Sequence, residues 1–224
     1  VHLAPLLNHY QPKFSLREVL LVYRQLPLNL AAHLQRIENS AQKLWFKFCK
    51  EIVRQQILNF CSDLSYDNEY MLTLSLDYLG EVAISAEILP PPRWPLKIML
   101  LNKQLDLSHP LFEHKTNASL SSELFRYLDA RYRPGGVDKL IFINQDGLMI
   151  GSNNANLILG IKHKWYTPAV SAGVLRGSYR ESLLAFGEIA EANLTPSDLK
   201  TAHKIMLIND LYGLTVCQFM GIVE

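Results

Sequence analysis

The stretch Val137–Leu184 reads VDKLIFINQDGLMIGSNNANLILGIKHKWYTPAVSAGVLRGSYRESLL, and its order of elements decides the fold. LIFIN is a short apolar run of strand type, followed by a turn, a polar Asn/Ser/Gly elbow and a second strand from Leu157 to Ile161. A helix then starts at about Ser178 behind Gly177, and Gly187 is placed to end it. Both the elbow and the helix start can aim backbone N–H groups at one anion.

Strands continue to alternate with helices on the C-terminal side. A weak strand is expected over Glu188–Ala192. In LTPSDL, Thr195 suits an N-cap, Pro196 the first helical position and Asp198 the acid three residues after the cap. KIMLIN and LTVCQF then flank the turn DLYG.

On the N-terminal side, Ser119–Tyr132 can form a helix that RPGG stops. Phe14–Tyr23 is apolar and β-prone and closes on the turn-like RQLP. Asn29 caps a helix whose apolar positions Leu30, Leu34, Ile37, Ala41, Leu44 and Phe48 fall three or four apart. Tyr70–Leu89 alternates around a glycine turn as a hairpin. PPPRWP ends the sheet because consecutive prolines cannot donate ladder hydrogen bonds, and a short strand LKIMLL follows. This pattern divides the chain into an N-terminal α+β domain (1–101), a linker (102–110) and a C-terminal α/β domain (111–224).

The chain has 224 residues, enough for one large or two small domains with a sizeable core. With 22 Lys and Arg against 21 Asp and Glu, no strong field argues for nucleic acid or a membrane surface as partner. The cysteines Cys49, Cys61 and Cys217 show neither metal spacing nor an even count, which suits a reducing cytoplasm. No apolar run approaches membrane-spanning length, and VHLAPLLNHYQPKF lacks the layout of a signal peptide. His109 and His163 have no metal-ligand partners nearby, so no metal is expected.

Lysine chemistry centres on SHPLFEHKTNAS, which places Lys115 in a polar setting before a helical stretch. A lysine amine can form a Schiff base with an aldehyde cofactor and then shuttle protons at a substrate carbon. The string resembles the DPxxxHKTxxR form of aminodeoxychorismate lyase relatives through Pro110, His114, Lys115 and Thr116, with Ser119 where an arginine is usual. AAHLQRIENSAQKL resembles the HLxRLxxSAxxL helix through His33, Leu34, Arg36, Ser40, Ala41 and Leu44. VLRGSYRESLL resembles the LPGITR helix start, and DGLMIGSNNANL resembles DGxxxExxxxNL through Asp146, Gly147, Asn156 and Leu157.

On these motifs the chain, from about Phe14 to Phe219, resembles the class IV aminotransferase family, the fold-type IV enzymes that include D-amino-acid and branched-chain aminotransferases and aminodeoxychorismate lyases. The N-terminal DxG segment common there is not recognisable. The resemblance implies a small α+β N-terminal domain, a larger C-terminal domain with a barrel-like sheet, and pyridoxal 5'-phosphate between them. It implies that Lys115 carries the cofactor and that Arg36 binds its phosphate, as a planar guanidinium can. The N–H groups of Ser178 and Tyr179 behind Gly177 would bind the same phosphate.

Two further positions depart from the pattern. Gly151 stands where a glutamate usually keeps the cofactor ring nitrogen protonated, leaving Ser152, Asn153 or Asn154 to offer a neutral bond and predicting weak or altered catalysis. Asp210 follows Asn209 where a small residue often touches the phosphate, so it either repels the dianion or turns outward.

The implied activity is that of a homodimeric lyase of folate biosynthesis, converting aminodeoxychorismate to 4-aminobenzoate and pyruvate. An aminotransferase with a small amino-acid donor and a degenerate relative that binds the cofactor poorly are the alternatives. Leu120, where branched-chain enzymes carry a tyrosine, argues against that branch.

Overall fold

The computed structural model describes residues 14–109, 112, 114–116 and 120–224. The N-terminal residues read above for a leader, and Pro110 and Ser119 of the lysine motif, lie outside the described residues. The chain forms two units: the part up to Ile88 with the short segment beginning at Lys115, and the part from Leu89 to His114 with everything from Leu120 onward.

The smaller unit is an antiparallel sheet ordered β2-β1-β3-β4, with β1 Leu16–Tyr23, β2 Leu26–Pro27, β3 Glu69–Leu76 and β4 Val82–Ile88. Two helices, α1 Leu30–Leu44 and α2 Lys50–Ser62, pack on it. Alternation along β1 buries Leu16, Leu20 and Val22, which meet Leu72, Leu74 and Leu76 of β3 and Leu34, Ile37 and Ala41 of α1 in one core. Asn29 sits at the α1 N-cap in the left-handed region without a side-chain cap bond, and Trp45, also left-handed, closes the helix. Phe48 therefore lies beyond the helix that its spacing suggested. Helix α2, which the sequence reading passed over, buries Val53, Ile57 and Cys61 at four-residue spacing.

The larger unit is built on eight strands in the order β10-β9-β8-β11-β12-β5-β6-β7. These are β5 Leu96–Leu105, β6 Lys139–Asn144, β7 Met149–Ser152, β8 Asn156–Ile161, β9 Lys164–Pro168, β10 Ala190–Ala192, β11 Lys204–Asn209 and β12 Gly213–Val223. Helices α3 Leu120–Tyr132, α4 Ser178–Ala185 and α5 Pro196–Thr201 complete it. The sheet is mixed: β12, β5 and β6 run parallel and β11 pairs antiparallel to β12. It curls into a half-barrel, and a bridge between Ser152 and Ala155 brings the far-edge strand β7 back beside β8. Ile98, Leu100, Ile141, Ile143, Leu157, Leu159 and Leu207 share one core, while Leu101, Leu140 and Phe142 face α3 through Leu128. Burial on both faces explains the unbroken apolar run of β6. The LTPSDL reading holds in detail, since Thr195 N–H donates to Asp198 Oδ2 at 2.6 Å and Pro196 opens α5.

The boundary differs from the expected one. The first part of the supposed linker, residues 102–105, is the end of β5, which pairs with β12 from Leu96 to Leu101 and with β6 from Ile98 to Leu105. Leu101 and Leu105 are buried there while Asn102 and Gln104 face outward, so the polar residues mark an exposed register and not the end of a domain. Lys115, expected with the C-terminal domain, belongs to the smaller unit, because Leu16 of β1 bridges Thr116 and Arg17 N–H donates to Lys115 O at 2.9 Å. Among the described residues no helix is long and apolar enough to cross a membrane.

Candidate functional site

In the smaller unit a carboxylate interrupts the apolar face of β1. Glu18 lies in phase with Leu16, Leu20 and Val22 and is 1% exposed. Isolated, such a charge would cost several kcal/mol to bury, roughly, so partners are required. His33 and Arg36, three residues apart on α1 and hence on one helix face, supply them. His33 Nδ1 lies 2.7 Å from Glu18 Oε2, and Arg36 Nε donates to Oε1 at 2.7 Å. Arg36 Nη2 donates to Oε2 as well, making the pair bidentate. Lys115 Nζ stands 3.9 Å from Oε2, with its side chain 23% exposed.

Burial pushes the Glu18 carboxyl up, but the Arg36 and Lys115 charges and the bonds from Arg36 and His33 outweigh it and hold it well below the usual carboxylate range. Arg36, expected at a phosphate, thus has a carboxylate of its own chain as partner, and His33 Nδ1 reaches across to β1 while lying 3.3 Å from Arg36 Nη2 on its own helix. Glu18 was missed in the sequence, although a charged residue at a core-phase position of a strand was the signal for it.

In the larger unit the site residues are set by backbone geometry. Gly177 precedes α4, and a Cβ built there would lie 2.2 Å from Asn156 Oδ1. Asn156 is held in turn by donating Nδ2 to Leu175 O at 3.0 Å. The start of α4 is clamped by Arg180, whose side chain is fully buried and donates to Pro168 O of β9 at 2.9 Å and to Glu191 of β10. That bond from Arg180 is the main cause of a lowered Glu191 carboxyl. The arginine of the LPGITR motif therefore has a structural role, which no local spacing revealed.

Asp210 turns toward this helix start: its Oδ2 accepts the Ser178 hydroxyl at 2.6 Å. The outward orientation weighed for it is not the one adopted. Asn209 shapes the turn, its Oδ1 accepting the N–H groups of Leu211 at 3.0 Å and Tyr212 at 2.8 Å. Tyr179 packs in the cluster of Ile158, Met206 and Ile208.

Gly151 has φ +113°, and a Cβ there would meet Ala155 O at 2.9 Å. The position therefore requires glycine for backbone reasons. Ser152 Oγ donates to the neighbouring Asn153 O at 3.4 Å, and Asn154 is an exposed left-handed turn residue. Burial pushes the thiols of Cys61 and Cys217 up to about 11 and about 12, which makes both poor nucleophiles at neutral pH.

Tested against pyridoxal phosphate, the donor set fits in kind. In the smaller unit a partly exposed amine suits an aldehyde; in the larger unit the backbone N–H groups at the α4 start suit an anion, while the Ser178 hydroxyl is already given to Asp210.

The profile of the amino-transferase class IV family matches residues 15–218. A Schizosaccharomyces pombe protein named "Putative aminodeoxychorismate lyase" is 24% identical over 202 residues, covering 87% of this chain and 84% of that protein. The 4-amino-4-deoxychorismate lyase of Pseudomonas aeruginosa superposes with TM-score 0.76 at 19% identity, over 93% of this chain and 83% of that one. The branched-chain aminotransferase of Thermoproteus uzoniensis does so with TM-score 0.77 at 17% identity, over 97% and 80%. With a match across nearly its whole length, this chain belongs to the class IV aminotransferase family.

Proposed function

We propose that the chain is a pyridoxal-phosphate-dependent lyase acting on a small amino-acid-like substrate, in the manner of 4-amino-4-deoxychorismate lyase. The observation that carries the reading is the Lys115 amine, partly exposed and held beside the buried Glu18 carboxylate. The lyase branch is supported by the HKT sequence at 114–116 and by the name of the fission-yeast relative.

The bound cofactor would supply an electron sink for negative charge at the substrate α-carbon. Lys115 Nζ, in its neutral form, would take the proton from that carbon and return one. The N–H groups of Ser178 and Tyr179 at the α4 start would bind the phosphate. Arg36 keeps Glu18 ionised and so keeps a negative charge beside Lys115.

A homodimer is part of the proposal. Leu214, Val216, Met220 and Ile222 alternate along β12, each at least 42% exposed, although β12 is an inner strand of its sheet. Such an apolar stripe suits a subunit interface. The cysteines are free thiols, in keeping with a reducing cytoplasm.

A second reading, a family member with the fold and lysine but weak cofactor binding, is favoured by the Asp210 to Ser178 contact. The test is release of pyruvate and 4-aminobenzoate from aminodeoxychorismate by the purified chain with pyridoxal phosphate. The lyase reading expects turnover that Lys115→Ala abolishes; no turnover at saturating cofactor contradicts it.

A further inference from the structure

We propose that Glu18 is the positioning residue of Lys115, holding the amine in place and favouring its ammonium form, which gives its extra proton to solvent before Nζ reacts. The inference rests on the reading of Lys115 as the reacting amine.

Strand β1 grips the lysine at both ends. Its main chain is fixed through Arg17 N–H to Lys115 O at 2.9 Å and through the Leu16 to Thr116 bridge. Two residues' reach further along the strand, Glu18 Oε2 stands 3.9 Å from Nζ. A lysine side chain loses roughly 2 kcal/mol of rotamer entropy when immobilised, so a tether works only if it is itself immobile. Glu18 meets that condition, being buried and pinned by His33 and by both ends of the Arg36 fork.

The distance carries its own information. At 3.9 Å the contact is a charge pair and is too long for a hydrogen bond, so Glu18 orients Nζ without capturing one of its protons. The ionisable groups gathered on this carboxylate are Lys115, Arg36 and His33. Glu18 favours the ammonium form of Lys115, and Arg36 opposes it. Removing the carboxylate charge would leave the lysine facing the guanidinium and would favour the neutral amine.

The test is competitive acetylation of the full chain across a pH series, with each lysine read by mass spectrometry and the exposed Lys162 and Lys164 as internal references. Glu18→Gln should lower the midpoint of Lys115 modification by about one pH unit and leave the references unmoved, whereas Glu18→Asp, which restores the charge, should recover most of the shift. An unchanged Lys115 midpoint in folded Glu18→Gln overturns the proposal. Should that variant fail to fold, the wild-type profile decides: Lys115 must keep its charge to at least the pH of the references, and a midpoint about a unit below theirs overturns it. Acetylation needs no cofactor, so failure of pyridoxal phosphate to bind would sink the proposed function and leave this result standing.

Discussion

In the smaller unit a charge is buried inside a sheet face and side chains gather to satisfy it; in the larger unit a turn is kept bare of side chains so that backbone and hydroxyl groups converge. Glu18 draws His33, Arg36 and Lys115 onto one carboxylate. Gly177 and Gly151 instead leave room, one for Asn156 Oδ1 and the other for Ala155 O. A side-chain cluster fails when a charge is removed, and a backbone cradle fails when an atom is added. The two regions should therefore respond to opposite kinds of substitution.

The largest effect is expected at Arg36. Arg36→Ala leaves Glu18 buried without its main counter-charge and should cost about 3–5 kcal/mol, read by urea denaturation. A loss below about 1 kcal/mol would show that solvent, and not the guanidinium, balances Glu18. Next comes the cradle: Gly177→Ala should cost about 1–3 kcal/mol by overpacking, and the double variant with Asn156→Ala should lose less than the sum of the singles. Strict additivity would separate the two residues.

Gly151→Glu should destabilise by about 1–3 kcal/mol through its positive φ and should not raise cofactor affinity, even though it restores the family's acid. A stable variant that binds pyridoxal phosphate more tightly would refute the backbone argument. Asp210→Ser should tighten pyridoxal phosphate about tenfold, or about 1.4 kcal/mol, and leave pyridoxal, which has no phosphate, unchanged in an absorbance titration. Equal changes for both would remove Asp210 from the phosphate.

Acid sharpens the contrast. Because the folded Glu18 carboxyl lies below its usual value of 4.5, the stability it contributes is complete above that pH and is lost as pH falls toward the folded value. The gap between wild type and Glu18→Gln should therefore narrow between about pH 5 and pH 2, and a constant gap would mean Glu18 is not held ionised.

Where local chemistry and tertiary structure agreed, the sequence could be read. The Thr195, Pro196 and Asp198 cap is wholly local, and the alternation of Phe14–Tyr23 shows which face of β1 is core. Helix α2 escaped because ten of its thirteen residues are not buried, which hid the Val53, Ile57 and Cys61 stripe. Strand β5 was cut short because Asn102 and Gln104 read as linker, when they occupy its outward register. For the site, the motif residues could be located but not their partners. The contacts of Arg36 and Asp210 span 18 and 32 residues of chain, and the structure supplies those pairings.

The central claim is that Lys115 is the amine that meets the aldehyde. Borohydride reduction of the chain equilibrated with pyridoxal phosphate, followed by digestion and mass spectrometry, locates the trapped pyridoxyl group. The account predicts stoichiometric modification of Lys115, abolished in Lys115→Ala; modification spread over exposed lysines, or none at Lys115 at saturating cofactor, would contradict it.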